Sequence, residues 1–277
     1  MSHFDSNIYY ISDIDHVATG KMLENIREYL GTLEKETIAQ LSVNCVILAY
    51  HEKKLRVVAN EFSIGKGKLT VIPGGYVGQK EDLEEAVQRI VRECTGLENM
   101  LFRQFAVFGK ASRSFAGELE GITDLESDSD QLLLNWVSER FISLCYIALV
   151  DYSTIDLQPT EFYDSARWLS LDQADELAMD HGDILHSALE FLKKELPHTP
   201  VASNLLPDRF TLPDLLSLVE SILGRTMDRP NFRRKILRTG LLEKVGLDDS
   251  GKSRPADLYC FKHGRNTTLM EDFKYGF

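Results

Sequence analysis

Residues 72–97 constrain this chain more than any other stretch. Ile72-Pro73-Gly74-Gly75-Tyr76 runs into a polar turn, and from about Leu83 to Cys94 the apolar residues recur at helical spacing. Proline followed by two glycines halts a strand and frees the backbone to turn, so the segment reads strand, turn, helix. Its charges sit at fixed offsets: Glu81 in the turn, then Arg89 and Glu93 in the helix. Positions 90, 93 and 94 are spaced i, i+3, i+4 and share one helix face. That face carries Ile90, Glu93 and Cys94. Isoleucine has no metal-ligating atom, and a thiol is a soft ligand poorly matched to Mg²⁺. Glu93 is therefore the only retained metal candidate on this face, too few to hold the ion. Glu85 and Arg89, four apart, form at most a weak helical pair.

The chain has 277 residues, 43% of them hydrophobic, which is enough for two domains with ordinary cores. No apolar run approaches the ~20 residues of a membrane helix, and Met1–Tyr10 lacks the layout of a signal peptide. The expectation is a cytoplasmic protein with no membrane partner. Cys45, Cys94, Cys145 and Cys260 are scattered without paired spacing and read as reduced thiols, neither a zinc site nor a disulfide framework. A net charge of −12 argues at first against nucleic acid. The distribution reverses that: from Pro197 to Phe277 there are thirteen lysines and arginines against ten acids, so the excess of acid lies upstream.

Along the chain, Met22–Leu30 and Leu33–Leu41 have helical spacing, and residues 1–40 are expected to form a helical extension. Ser42–Tyr50 reads as a buried strand, Leu55–Ala59 as a second, and Lys68–Ile72 leads into the turn. Strands follow over Leu101–Phe108, Glu139–Val150 and Ala166–Ser170, then a helix from about Asp183 to Leu196. The acidic stretch from Gly117 to Asn135 carries no basic residue and reads as a solvated insertion. His198–Ala202 reads as a linker stiffened by Pro197 and Pro200.

Beyond the linker the pattern changes. Thr211 is a good N-cap for a helix over Leu212–Leu223, and Pro213 fits its first turn. Gly224 ends it, Asp228 caps a second helix over Arg229–Arg238, and Gly240 follows. Leu242–Leu247 and Ala256–Lys262 read as the strands of a hairpin with a polar turn between them. Helix, short turn, helix, hairpin is the order of a winged helix. The second helix places Phe232 and Ile236 inward and leaves Arg229, Asn231, Arg233, Arg234, Lys235 and Arg238 largely outward. Arginine and asparagine read guanine and adenine edges in the major groove, and basic groups neutralise phosphates. Lys252 and Arg254, in the turn of the hairpin, are the expected wing contacts.

Gly75, Glu81, Arg89, Val91, Glu93, Gly96 and Leu97 fit the Nudix box, whose pattern places glutamates at the positions of Ile90 and Cys94. With the strand Ser138–Leu149 and the segment from Asn204 to Phe261, the chain resembles the Nudix-related transcriptional regulators from about Leu41 to Phe277. These join a catalytically weakened Nudix sensor to a C-terminal winged helix. Some respond to ADP-ribose in the control of NAD metabolism, others, notably in Bacteroidetes, to a sugar such as arabinose in the control of its catabolism.

The resemblance implies an α/β fold: a Nudix α/β/α sandwich over residues 41–197 and a winged helix-turn-helix domain over 201–277. It implies a homodimer that binds double-stranded DNA at a palindromic operator and senses a small effector. The expected effector residues are Gly74, Gly75, Tyr76, Arg89, Glu93, Lys110 and Arg140, where cationic groups suit a phosphate or a sugar hydroxyl. No catalytic residue and no cofactor is expected. Two other readings compete. An active hydrolase of the ADP-ribose pyrophosphatase type would need Mg²⁺ and carboxylates from Glu84, Glu85 or Glu139. A non-catalytic scaffold would use the winged helix to bind protein.

Overall fold

A computed structural model of the chain describes residues 37–64, 67–98, 100–119, 135, 138–160, 163–196, 204–248 and 255–262. The expected extension before residue 37, most of the acidic insertion, the linker and the wing turn with Lys252 and Arg254 lie outside them.

The spine is β1 (Thr37–His51). Its first half pairs antiparallel with β4 (Gly74–Gly78), with Asn44 opposite Gly74. Its second half pairs antiparallel with β2 (Lys54–Ile64), with Leu48 opposite Val57. Along its length it pairs in parallel with β6 (Ile142–Val150). β1 therefore changes partner between Asn44 and Leu48, and the sheet forks there. β3 (Gly67–Val71) and β7 (Ser165–Ser170) extend the sheet beyond β2, and β5 (Phe102–Phe108) closes the other side on β6.

Side chains alternate along β1 with the period of a strand. Val43, Cys45, Ile47 and Ala49 face α1 (Leu83–Thr95) in one apolar cluster. Val46 and Leu48 face the opposite way, toward α3 (His181–Glu195), in another. Helices on both faces make the expected sandwich. A four-residue helix, α2 (Ala116–Leu119), follows β5.

One boundary needs correction. Helical spacing over Leu33–Leu41 had placed the first strand after residue 41, but Thr37–Leu41 already belongs to β1. Thr37 pairs with Gly78 across an irregular register, so tertiary pairing overrides a weak local periodicity. β2 likewise runs beyond the expected Ala59, because Asn60–Ile64 finds a partner in β3.

The C-terminal part is a three-stranded sheet, β8 (Phe210–Thr211), β10 (Ala256–Phe261) and β9 (Leu242–Asp248), with α4 (Leu212–Leu223) and α5 (Arg229–Arg238). Its caps are the expected ones. Thr211 Oγ1 accepts from the Asp214 amide, and the Asp214 carboxylate accepts from the Thr211 amide at 3.0 Å. Gly224 stops α4 in the left-handed region, at φ 68°. Asp228 Oδ1 accepts from the Asn231 amide at 2.9 Å and starts α5. This module is not tethered loosely: α4 packs on α3 and β2. Leu215, Leu218 and Val219 share one buried cluster with Leu185 and Leu192 of α3 and Val57 of β2.

Candidate functional site

The glycine turn lies at the fork in the sheet. Cys45 N–H donates to the Pro73 carbonyl at 2.8 Å, which draws the turn against β1. Gly74 is required there. A Cβ on it would fall 2.9 Å from the Val43 carbonyl oxygen and closer still to Asn44 Nδ2. Gly75 is packed nearly as tightly, since its Cβ would meet Ile90 Cδ1 at 3.2 Å.

Glu81 and Arg89 close the turn onto α1. Glu81 Oε1 accepts from Arg89 Nε at 2.7 Å, and its Oε2 accepts from Arg89 Nη2 and from the Gly78 amide, each at 2.9 Å. Arg89 Nη2 also donates to the Tyr76 carbonyl at 2.9 Å. This bidentate geometry is the strong form of a carboxylate–guanidinium pair. Arg89 holds the Glu81 carboxyl below the usual carboxylate range, with the Gly78 amide adding to the effect against some loss of solvation. Arg89 is thus committed to bracing the loop, leaving only Nη1 directed at Glu93, 3.7 Å away.

The neighbouring face of α1 is apolar. Ile90 is buried in the apolar cluster under β1, and Cys94 is buried against Asn60 of β2. Cys94 Sγ accepts from Asn60 Nδ2 at 3.3 Å, and burial pushes its thiol up to about 11, so it stays a neutral packing group. Burial also raises the Glu93 carboxyl, against the pull of Arg89 and Arg92. One half-exposed carboxylate beside a guanidinium does not fit Mg²⁺, which wants several hard oxygen ligands. Among the described residues no group of three or more His, Cys, Asp or Glu is placed to hold a metal. The other carboxylates do not converge on Glu93. Glu84 and Glu85 lie in the first turn of α1, about 12 Å of helical rise from it for Glu85. Glu85 accepts from the Asp82 amide, and Glu139 accepts from Gln40.

Gly74, Gly75, Tyr76, Arg89 and Glu93 are brought together. Lys110 and Arg140 are not with them. Arg140 Nη2 donates to the Gly109 carbonyl, so these two exposed residues sit with each other at the end of β5 and β6. The path from β4 across β1 and β6 to β5 is three strand spacings, about 14 Å.

Between them lies a wall that the sequence did not disclose. Tyr163 donates to the Gly74 carbonyl at 2.9 Å, and a chain of rings runs on from it through Phe62 and Phe115 to Phe141 and His181. The guanidinium of Arg113 lies 4.3 Å from the centre of the Phe141 ring, and its Nε donates to Asp180 Oδ2 at 2.9 Å. His181 Nδ1 accepts from the Ile72 amide at 2.9 Å; burial, helped by Arg113, drives its pKa down to about 3 and keeps it neutral. These residues are scattered singly, and no local pattern marks them.

The winged helix carries the second candidate surface. Phe232 and Ile236 are buried; Arg229, Arg233, Arg234 and Arg238 are exposed; Asn231 and Lys235 are partly covered. Asn231 Oδ1 accepts from Arg234 Nη2 at 2.8 Å, a bond within the helix. Lys244 on β9, missed in the sequence, pairs with Asp257 at 2.6 Å beside this helix.

Comparison with known proteins follows the same division. The NUDIX domain model matches residues 39–188, and the NrtR DNA-binding winged helix domain model matches residues 202–261. The chain is 26% identical to the ADPR responsive transcriptional repressor NtrR of Acinetobacter baylyi over 235 residues, covering 78% of this chain and 82% of that protein. It is also similar to Shewanella oneidensis NrtR in complex with a 27mer DNA, at 25% identity and a TM-score of 0.61, covering 80% and 94% of the two chains. The same protein without DNA aligns at 26% identity with a TM-score of 0.60.

Proposed function

We infer, from the premise that the chain belongs to the NUDIX family and carries an NrtR-type winged helix behind that domain, that it is a transcriptional regulator whose NUDIX domain senses a small effector and does not hydrolyse it. One observation carries the reading: a capped helix with four exposed arginines is mounted on a NUDIX core whose box helix buries Ile90 and Cys94 and leaves Glu93 exposed beside Arg89. α5 enters the major groove, with Arg233, Arg234 and Asn231 toward base edges and Arg229, Lys235 and Arg238 toward phosphates. Lys252 and Arg254 serve as wing contacts, and Lys244 is a further phosphate contact at the root of the wing.

The working form is a cytoplasmic homodimer, because two-fold protein symmetry matches the two half-sites of a palindromic operator. No cofactor is needed. The effector is ADP-ribose or a sugar-like molecule bound between the glycine turn and the ring wall, with Gly74–Tyr76 and Glu93 on one side. An effector shifts DNA affinity only if it favours one arrangement of the winged helices. The shared core of β2, α3 and α4 supplies the connection.

The test is a gel shift with DNA from the gene's own upstream region, with and without ADP-ribose and a set of pentoses. Arg233→Ala with Arg234→Ala is expected to weaken binding roughly a hundredfold, since each base-reading arginine contributes about 1–3 kcal/mol. The melting temperature should not move. Unchanged DNA binding by this variant would remove α5 as the reading helix.

A further inference from the structure

Away from the glycine turn, the sheet presents an apolar patch where β5 and β6 meet the start of β1. Leu41 of β1 pairs with Ile142, and Val107 of β5 pairs with Leu144. Ile142 and Leu144 are two apart on β6, so all four side chains lie on one face. It is the face that α1 covers farther along, where Leu41 and Leu144 join the apolar cluster. At this end the cover stops: Val107 is 59% and Ile142 41% exposed. Ile142 lies over Gly109, where a Cβ would meet its Cγ1 at 3.2 Å, so the patch reaches the end of β5. Exposed Lys110 and Arg140 flank it, and Arg140 Nη2 is bonded to the Gly109 carbonyl. The neighbouring carboxylate, Glu139, accepts from Gln40. Single exposed apolar residues are ordinary, but an adjoining set with a cationic rim marks an interaction surface.

We propose that this face docks residues 22–30 of the same chain. Position, pattern and charge select that occupant. The segment enters the sheet through Thr37, the first residue of β1, and Leu41 of that strand borders the patch. Residues 31–36 reach at most about 20 Å, and the path from β1 over β6 to β5 is two strand spacings, about 10 Å. Met22, Leu23, Ile26, Tyr29 and Leu30 recur at helical spacing and Gly31 follows, so the sequence predicts an amphipathic helix with one apolar stripe. A helix so short is marginal alone in water and needs a surface for that stripe. Residues 1–36 carry seven Asp and Glu against three Lys and Arg, and Glu24 and Glu28 lie four apart within the predicted helix. That charge complements Lys110 and Arg140. A second copy offers the same segment, but attachment at Thr37 holds the chain's own at an effective concentration on the order of millimolar. The proposal does not depend on the regulator reading. It gives Lys110 and Arg140 a use away from the glycine turn.

Hydrogen exchange of the full chain, followed by mass spectrometry, reads the docking directly. The amides of residues 22–30 should exchange roughly tenfold or more slowly than those of a free peptide of the same sequence. Val107→Asp should abolish that protection, and Lys110→Glu with Arg140→Glu should weaken it by roughly threefold, the scale of exposed ion pairs. Ile26→Asp changes the segment and leaves the sheet alone, so its loss of protection keeps the test valid if Val107→Asp disturbs β5. Unprotected amides in the parent, or protection that survives both aspartate variants, would overturn the docking. Cross-linking with a bismaleimide then tells the chain's own segment from a second copy's. A chain carrying both Ile26→Cys and Val107→Cys should give a product of single-chain mass, with Val107→Cys alone as the control for the partly exposed Cys260. A product of twice that mass, formed on mixing the two single variants, would put a second copy's segment on the face and overturn the assignment to the chain's own.

Discussion

α1 and α5 are similar helices put to opposite uses. Each begins at an aspartate N-cap, buries one apolar stripe and carries arginines elsewhere. In α1 the principal arginine meets a carboxylate at the right distance, and Arg89 is used up by Glu81 and the Tyr76 carbonyl. α5 has no acid within its own length, and four arginines are left in solvent. Arginine presents the same rigid fork in both places. The local supply of acceptors decides whether it shapes the protein's own backbone or is left facing solvent.

The largest effect that would break this contrast comes from returning charge to the packed face of α1. Ile90→Glu places a carboxylate where the residue is 2% exposed and should cost about 4 kcal/mol, lowering the melting temperature by roughly 10 °C. Adding Cys94→Glu completes the three-carboxylate face. Millimolar Mg²⁺ should then raise the melting temperature of the double variant and leave the parent unmoved in differential scanning fluorimetry. A parent stabilised by Mg²⁺ would mean that Glu93 suffices. Arg89→Ala comes next, at about 2 kcal/mol, because several charge-assisted bonds around a half-buried group are lost together. Its operator affinity, measured below the melting transition, should be unaltered. Arg234→Ala on α5 should show the reverse, with melting unchanged within about 0.5 kcal/mol and operator affinity lower by roughly tenfold. If the two arginine variants moved the same observable, the division between bracing and reading would fail.

The sequence made these helices legible because their signals are local. The box offsets, the caps at Thr211 and Asp228, and the stop at Gly224 each act within a few residues, and the structure places them as expected. Glu81 and Arg89 were legible as box positions, eight apart on a turn and its helix, but Arg89 was expected at the effector and is committed instead to Glu81 and the Tyr76 carbonyl. The ring wall was not. Phe62 comes from β2, and Arg113, Phe141, Tyr163 and Asp180 from four different connections, so they meet only in the folded sheet. Lys110 and Arg140 were chosen for charge near strand ends, but the strand order sets them on the far side of β1 from the glycine turn. Charge alone did not reveal that Arg113, three residues after Lys110, is the cation taken inside. The first strand was mislocated because apolar spacing over nine residues fits a helix and a strand almost equally well.

The smallest predicted effect sharpens the contrast within α1 itself. Glu81 is held below its ordinary value by Arg89, so in the unfolded chain it takes up a proton more readily than in the folded one. Its contribution to stability is therefore fully present above the unfolded carboxylate value, about pH 4.3, and is lost as the pH falls from there toward the folded value. Glu93 works the other way. Burial raises it, so the folded chain takes up that proton first, and acidification through the same region relieves a cost. The two slopes oppose each other one helix turn or so from the same guanidinium, so in the parent each offsets part of the other. Removing Glu93 with Glu93→Gln should steepen the loss of stability below pH 5 relative to the parent, and Arg89→Ala should flatten it. Glu61, held down to about 2 by Lys68, Ser165 and Arg167, contributes equally in all three chains and drops out of the differences. Equilibrium urea unfolding between pH 5.5 and 3.5 measures all three. Identical slopes in the parent and Arg89→Ala would show that the brace stores no proton-linked stability and that Arg89 differs from the arginines of α5 in position only.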